Sequence, residues 1–313
     1  MCRTTVIAYA LALTAALVGA GVACTDQDHA GASAKPADAA SSKGPYVALG
    51  DSYTAAPDVP GQTAQPPGCQ RSDANYPSDI AGGLGLTGTR FVDMSCSGAT
   101  VDDLTSSQHT SHGTNPPQEL PLSSRTRLVT LGIGGNDIEF TSILKECITM
   151  DAADYAIGIG HFVLPDACKR RYNLGGTDQL QQRINAIAPD IAHALKDIHR
   201  KAPRARILVI GYPTILPSGT TNACTRSFGL SPDDTAYLHH VEDSLNTMLR
   251  QQAKAANVRY IDTATPSKNY TACDNRDTRW IEPPITQNAA ASVHPNARGE
   301  SGMATAALEA LRK

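Results

Sequence analysis

No long run of basic residues occurs in this sequence, and its formal net charge is -3. A nucleic-acid surface, which needs clustered Lys and Arg, is therefore not expected. No CxxC pair and no Cys/His cluster is present, so neither a structural metal nor a metal cofactor is expected. His109 and His112 are spaced by three in a stretch that reads as a solvated loop, with no third ligand nearby. His239 and His240 lie in a helical pattern. No internal repeat is evident. Aromatic residues amount to only 5%, and the lone Trp280 is open between walling a pocket and plain packing. What is present is a 41% hydrophobic fraction over 313 residues. That is enough for a sizeable core in one large α/β domain or two small ones.

The N-terminus reads as an address rather than as fold. Arg3 gives a weakly positive start, and an apolar, small-residue, uncharged run follows through Ala23. This is the layout of an export signal over 1–23. An uncleaved anchor is the minority alternative, since a membrane helix needs about 20 apolar residues. Gly21-Val22-Ala23-Cys24 resembles a bacterial lipobox, with Gly21 where Leu is usual. Lipidation of Cys24, giving a membrane tether, and ordinary cleavage after Ala23 are both open. Residues 24–45 are rich in Ala, Ser, Lys, Asp, Gly and Pro and bury too little to order themselves. They read as a tether before a single domain over 46–313.

Cysteine parity is consistent with export. Cys2 leaves with the signal, and a lipidated Cys24 leaves six, an even number in an exported chain. Six Cys allow 15 pairings. Pairing neighbours (Cys69–Cys96, Cys147–Cys168, Cys224–Cys273) closes the shortest loops.

Short apolar runs at 46–49, 90–94, 127–133, 206–212 and 258–262 read as strands. The third and fourth are nearly continuous, as expected for strands covered on both faces. Helical spacing appears over 177–201, 231–256 and 296–311. The segments 69–77, 109–121 and 147–176 read as irregular excursions able to shape or roof a pocket. Strand–helix alternation predicts an α/β fold: a three-layer α/β/α arrangement around a mostly parallel five-stranded sheet. Ligands of such sheets bind beyond the carboxyl ends of the strands.

Two short stretches fall at such ends: Gly50-Asp51-Ser52-Tyr53 and Gly134-Gly135-Asn136-Asp137. Two more stand out, Cys96-Ser97-Gly98-Ala99-Thr100 and Ser292-Val293-His294-Pro295-Asn296. Singly each has a plain reading, as a helix cap or a turn. Together and in this order they resemble the SGNH, or GDSL-type, hydrolases. That family is named for a Ser, a Gly, an Asn and a His, here Ser52, Gly98, Asn136 and His294. The resemblance runs from about Tyr46 to the C-terminus. No Gly-x-Ser-x-Gly elbow surrounds Ser52, so an ordinary α/β-hydrolase is not indicated.

The resemblance implies an SGNH, flavodoxin-like sheet, an exported ester hydrolase without cofactor, and a monomer. It implies Ser52 as nucleophile and His294 as base. The oxyanion donors would be the N–H groups of Ser52 and Gly98 and the amide of Asn136. Asp51 would fix the turn. Many members place an Asp three residues before the His, but here that residue is Ala291. Secreted actinobacterial members with a Ser–His dyad hold the His by a main-chain carbonyl, which implies the carbonyl of Ala291, with Asp262 as a rival carboxylate. That branch also carries three disulfides. The implied substrates are lipid or short- to medium-chain acyl esters. A glycan deacetylase of the same fold and a surface-tethered binding protein that has lost activity are the alternatives.

Overall fold

The computed structural model describes residues 44–62, 64–157, 166–219 and 223–313. The expected export signal over 1–23, Cys24 and nearly all of the expected tether lie outside the described residues. The strand β1 (Tyr46–Gly50) forms the heart of a sheet with β2 (Phe91–Asp93), β5 (Leu128–Gly132), β6 (Arg206–Ile210) and β7 (Arg259–Ile261). The order is β2-β1-β5-β6-β7, and every pairing is parallel. All five expected strands are thus present, and the sheet is wholly parallel. The strand β1 pairs in step with β5 from Tyr46↔Leu128 to Gly50↔Gly132. The chain therefore leaves both strands at the same edge.

Side chains alternate across a strand, and here both sets are apolar. Val47, Leu49, Val129, Leu131 and Val209 face one core, while Tyr46, Ala48, Leu128, Leu208 and Ile210 face the other. The first core is covered by α5 (Gln179–Lys201) and α7 (Pro232–Ala255), through Ile184, Ile191, Leu195, Leu238 and Leu245 among others. The second is covered by α2 (Tyr76–Gly83) and α9 (Ala297–Arg312), through Ile80, Met303, Ala307 and Leu311. The result is the expected three-layer arrangement. Helix starts follow their local chemistry. Asp178 caps α5 by accepting from the N–H groups of Leu180 and Gln181. Ser231 caps α7, with Pro232 in the first turn.

Two excursions are more ordered than expected. The stretch 147–176 is largely helical where described, as the end of α3 (Phe140–Ile157) and as α4 (Ala167–Tyr172). Phe140, Ile143, Leu144 and Cys147 place a buried stripe at helical spacing, which carries α3 through the cysteine. The stretch 109–121 holds most of a hairpin, β3 (Gln108–Thr110) and β4 (Gly113–Asn115). Cys69–Cys96, Cys147–Cys168 and Cys224–Cys273 are bonded. The first ties the segment before α2 to the turn after β2, and the second ties α3 to α4.

Candidate active site

The end of β1 shows why glycine stands at position 50. A Cβ there would lie 2.6 Å from the carbonyl oxygen of Gly132 on the neighbouring strand. Asp51 then donates its N–H to that same oxygen at 2.9 Å, which bends the chain out of the sheet. The Asp51 side chain caps the one-turn helix α1 (Ser52–Ala55). Its Oδ1 accepts from the N–H of Tyr53 at 2.9 Å. Its Oδ2 accepts from the Tyr212 hydroxyl at 2.5 Å. Burial pushes the Asp51 carboxyl up to about 7, against the bonds from Tyr212 and Tyr53 that favour its charge. Ser52 follows as the first residue of α1.

The turn Cys96–Ala99 lies beside it. The N–H of Cys96 donates to Gly50 O at 3.0 Å, and that of Ala99 closes the turn on Cys96 O at 3.0 Å. Gly98 has φ +80°, the left-handed value that favours glycine at this turn position. Asn136, in the loop after β5, donates from Nδ2 to Ala99 O at 2.9 Å. The neighbouring Gly135 N–H donates to the Tyr212 hydroxyl at 2.8 Å, so Tyr212 bridges the Ser52 and Asn136 loops. Among the described residues no protein acceptor engages the N–H of Ser52 or of Gly98.

His294 arrives from the other side of the chain's length. Its Nε2 lies 2.7 Å from Ser52 Oγ, and its Nδ1 lies 2.7 Å from the carbonyl oxygen of Ser292. A carbonyl only accepts, so Nδ1 carries the proton and Nε2 is free to accept from the serine hydroxyl. The orienting carbonyl is therefore that of Ser292, not that of Ala291. The Ala291 carbonyl is taken by the backbone N–H of His294 at 3.2 Å, and Val293 at φ +62° turns the intervening peptide so that Ser292 O meets the ring. A β-branched residue is rare in that region. Val293 is held there by the Tyr53 hydroxyl donating to its carbonyl at 2.6 Å and by its N–H donating to Glu282 O at 3.0 Å. Asp262 is elsewhere. It accepts from Thr265 N and Oγ1 at 3.0 and 2.7 Å and pairs with Arg250 at 3.6 Å.

The electrostatics suit a neutral imidazole. Burial lowers the His294 pKa, while the Ser292 carbonyl and the charge of Asp58 pull it up and Lys145 pulls it down. Glu282 anchors the histidine loop. This fully buried carboxylate receives Arg279 Nε and Nη2, the N–H groups of Gln287 and Asn288, and the side-chain amides of Asn288 and Asn296. Beside Ser52 lies a narrow cleft, walled by Asn136, Phe140, Tyr212, Ile215, Glu242 and Leu245. Both Glu242 oxygens accept from Ile215 N–H, at 3.0 and 3.1 Å, and burial pushes its carboxyl well above the usual range. The cleft thus offers a largely apolar wall next to the serine.

Trp280 is not part of that wall. It stacks on Tyr270 with ring centroids 5.8 Å apart and fills the space left by Gly302 of α9. His109 and His112 make local contacts on the β3–β4 hairpin, with Thr114 and Ser111. Tyr53, Tyr212, Glu242 and Glu282 were not singled out from sequence. Tyr212 had a usable signal, because it stands at the carboxyl end of the fourth strand run. The others carry none.

A buried serine beside a strand end, a histidine bonded to it and a neighbouring apolar cleft define a hydrolase type of site. The model of the GDSL-like lipase/acylhydrolase family matches residues 48–301. The chain belongs to that family, the SGNH hydrolases, and is a carboxylic ester hydrolase of the lipase/esterase kind. Lipase 2 of Streptomyces coelicolor is 33% identical over 300 residues, covering 96% of each chain. Among solved structures, phospholipase A1 of Streptomyces albidoflavus superposes with a TM-score of 0.67 at 25% identity, covering 85% of this chain and 98% of that one. The extracellular lipase of Streptomyces rimosus superposes with a TM-score of 0.62 at 26% identity, covering 85% and 99%.

Proposed function

We propose that this chain is an exported serine esterase that cleaves lipid or short- to medium-chain acyl esters through an acyl-enzyme on Ser52. The 2.7 Å contact between Ser52 Oγ and His294 Nε2, with Nδ1 held by Ser292 O, carries the reading. A free hydroxyl is a weak nucleophile and needs a base within hydrogen-bond reach. Ser52 Oγ attacks the acyl carbonyl as its proton passes to Nε2. The oxyanion is met by the N–H groups of Ser52 and Gly98 and the Asn136 amide. His294 returns the proton to the leaving alcohol, and water then releases the acid by the same path. The acyl chain lies along the cleft walled by Phe140, Ile215 and Leu245.

Residues 1–23 act as the export signal, with either a lipid on Cys24 or free release, and 24–45 tether a single domain that works as a monomer. The relative from Streptomyces rimosus is described as extracellular, which supports this reading. The test is fluorophosphonate treatment of the purified protein with mass-spectrometric mapping, beside His294→Ala. Labelling at Ser52 that is lost in His294→Ala is the expected result. An unlabelled Ser52 in a folded protein that also leaves p-nitrophenyl butyrate uncleaved would overturn the proposal.

A further inference from the structure

The turn that carries Gly98 has a second stable form. Its φ of +80°, with no positive φ at Ser97, makes Cys96–Ala99 a type II turn. Types I and II differ mainly by a half-rotation of the central peptide, here the one joining Ser97 to Gly98. In a planar trans peptide the carbonyl and the N–H point to opposite edges. That rotation would exchange the Gly98 N–H for the Ser97 carbonyl on the side of the site. An oxyanion would then face a negative dipole instead of a donor.

One side chain stands against that rotation. Gln108 donates from Nε2 to Ser97 O at 2.8 Å, and Nε2 is the nearest atom to the position a Cβ on Gly98 would take, at 3.7 Å. Ser97 O only accepts, so the amide nitrogen must be the atom that faces it. The backbone that carries Gln108 is held in place. In the β3–β4 hairpin it pairs directly with Asn115, which is 1% exposed. The Asn115 side chain donates to Met94 O at 3.1 Å and accepts from Arg71 at 3.2 Å. Farther along the same excursion, Gln118 clasps Gly50, accepting from its N–H at 2.7 Å and donating to its carbonyl at 2.9 Å.

We infer that Gln108 is a positioning residue for ester hydrolysis: it locks the Ser97–Gly98 peptide in the orientation that aims the Gly98 N–H at the oxyanion. The excursion 108–118 thereby acts as a brace on the oxyanion hole. This rests on the catalytic reading of Ser52, Gly98 and Asn136 given above. The donor that this peptide aims is engaged as the oxyanion forms, in the transition state rather than in the bound ester. Its loss therefore lowers kcat and leaves KM nearly unchanged.

The experiment compares the whole purified protein with Gln108→Ala and Gln108→Glu. It measures kcat and KM on p-nitrophenyl butyrate, inhibition by an alkyl trifluoromethyl ketone that forms a tetrahedral adduct, and thermal midpoints. Wild-type labelling by fluorophosphonate at Ser52 is established first. If that fails, the catalytic reading has failed and not this one. With labelling in place, Gln108→Ala lowers kcat about tenfold, the scale of one lost hydrogen bond. This is less than the 10²–10³ expected for deleting a donor outright. Ketone affinity falls in parallel. Gln108→Glu is as impaired at pH 8, where its carboxylate only accepts, and recovers relative to wild type on acidification, as a protonated acid donates again. Three results would overturn the inference. They are an unchanged kcat and ketone affinity in Gln108→Ala, a loss confined to KM, or a loss that tracks a lowered thermal midpoint and is the same for Ala and Glu at every pH.

Discussion

Glu282 sets the strength of the histidine loop, and its charge makes that strength pH-dependent. Burial by itself would raise its pKa. The N–H of Gln287 and the side chains of Arg279, Asn296 and Asn288 overcome burial and hold it at about 2, against an ordinary 4.5. At about 1.4 kcal/mol per unit, this gives roughly 3 kcal/mol of stability. The folded pKa is depressed, so that stability is fully present above pH 4.5 and is lost as pH falls toward 2. The perturbation is Glu282→Gln, which keeps the shape and removes the charge. It also leaves Arg279, whose side chain is 4% exposed, without its counter-ion. Removing one partner of a buried pair typically destabilises by about 3–5 kcal/mol. Equilibrium urea unfolding of both proteins from pH 7 to pH 2 measures the effect. The wild type is the more stable at pH 7, and its advantage shrinks by roughly 3 kcal/mol between pH 6 and pH 2. An advantage constant over that range would refute the reasoning, because the carboxylate would then not be ionised differently in the two states.

Three further expectations follow from the same geometry. The lowered pKa of His294 keeps its base form to more acidic pH, so the acid limb of kcat/KM on p-nitrophenyl butyrate has its midpoint below 6.5; a midpoint above 6.5 would contradict the burial argument. Replacing Cys69 and Cys96 together by Ser opens a loop with a sequence separation of 27 and lowers stability by about 3.5 kcal/mol in denaturant titrations. Tyr53→Phe removes the bond to the Val293 carbonyl and lowers kcat about fivefold, the scale of one hydrogen bond. Val293→Gly in that background recovers part of the loss, because glycine adopts positive φ without strain; the absence of any recovery would mean that Tyr53 acts through something other than the Val293 turn.

Much of the fold was legible because it rests on patterns of several residues. Runs such as 206–212 read as strands buried on both faces, and the Ser52 and Asn136 stretches fall at carboxyl ends in register with each other. The histidine's partner was not legible. Which carbonyl meets Nδ1 depends on the φ of Val293, and a β-branched residue argues against the left-handed value it adopts. The distant Tyr53 hydroxyl and the Glu282 backbone hold that conformation. Glu282 gave no signal either, since a lone carboxylate beside Pro283-Pro284 looks like an ordinary solvated loop. The helix over 140–157 was obscured by Cys147, which reads as a loop marker although its spacing from Phe140 and Leu144 is helical.

The absence of an Asp at position 291 changes what the histidine can do more than where it sits. A carbonyl fixes the tautomer as well as a carboxylate does, and the 2.7 Å contact to Ser292 shows the ring is held. In the proposed mechanism, a carbonyl does not bring a full negative charge to the imidazolium that would form as Ser52 attacks. In this site burial opposes that cation, and Asp58 is the carboxylate whose charge favours it. In the proposed mechanism, stabilisation of the transition state therefore shifts toward the oxyanion side, where the donors are neutral N–H groups. That side is braced at several points. Gly50 is clasped by Gln118, Ser97 is held by Gln108, the turn is tied by Cys69–Cys96, and Tyr212 joins the Ser52 loop to the Asn136 loop. A weaker base with a rigid oxyanion hole is a consistent division of labour for cleaving an ester, whose alkoxide leaving group needs less help from a proton than an amine would.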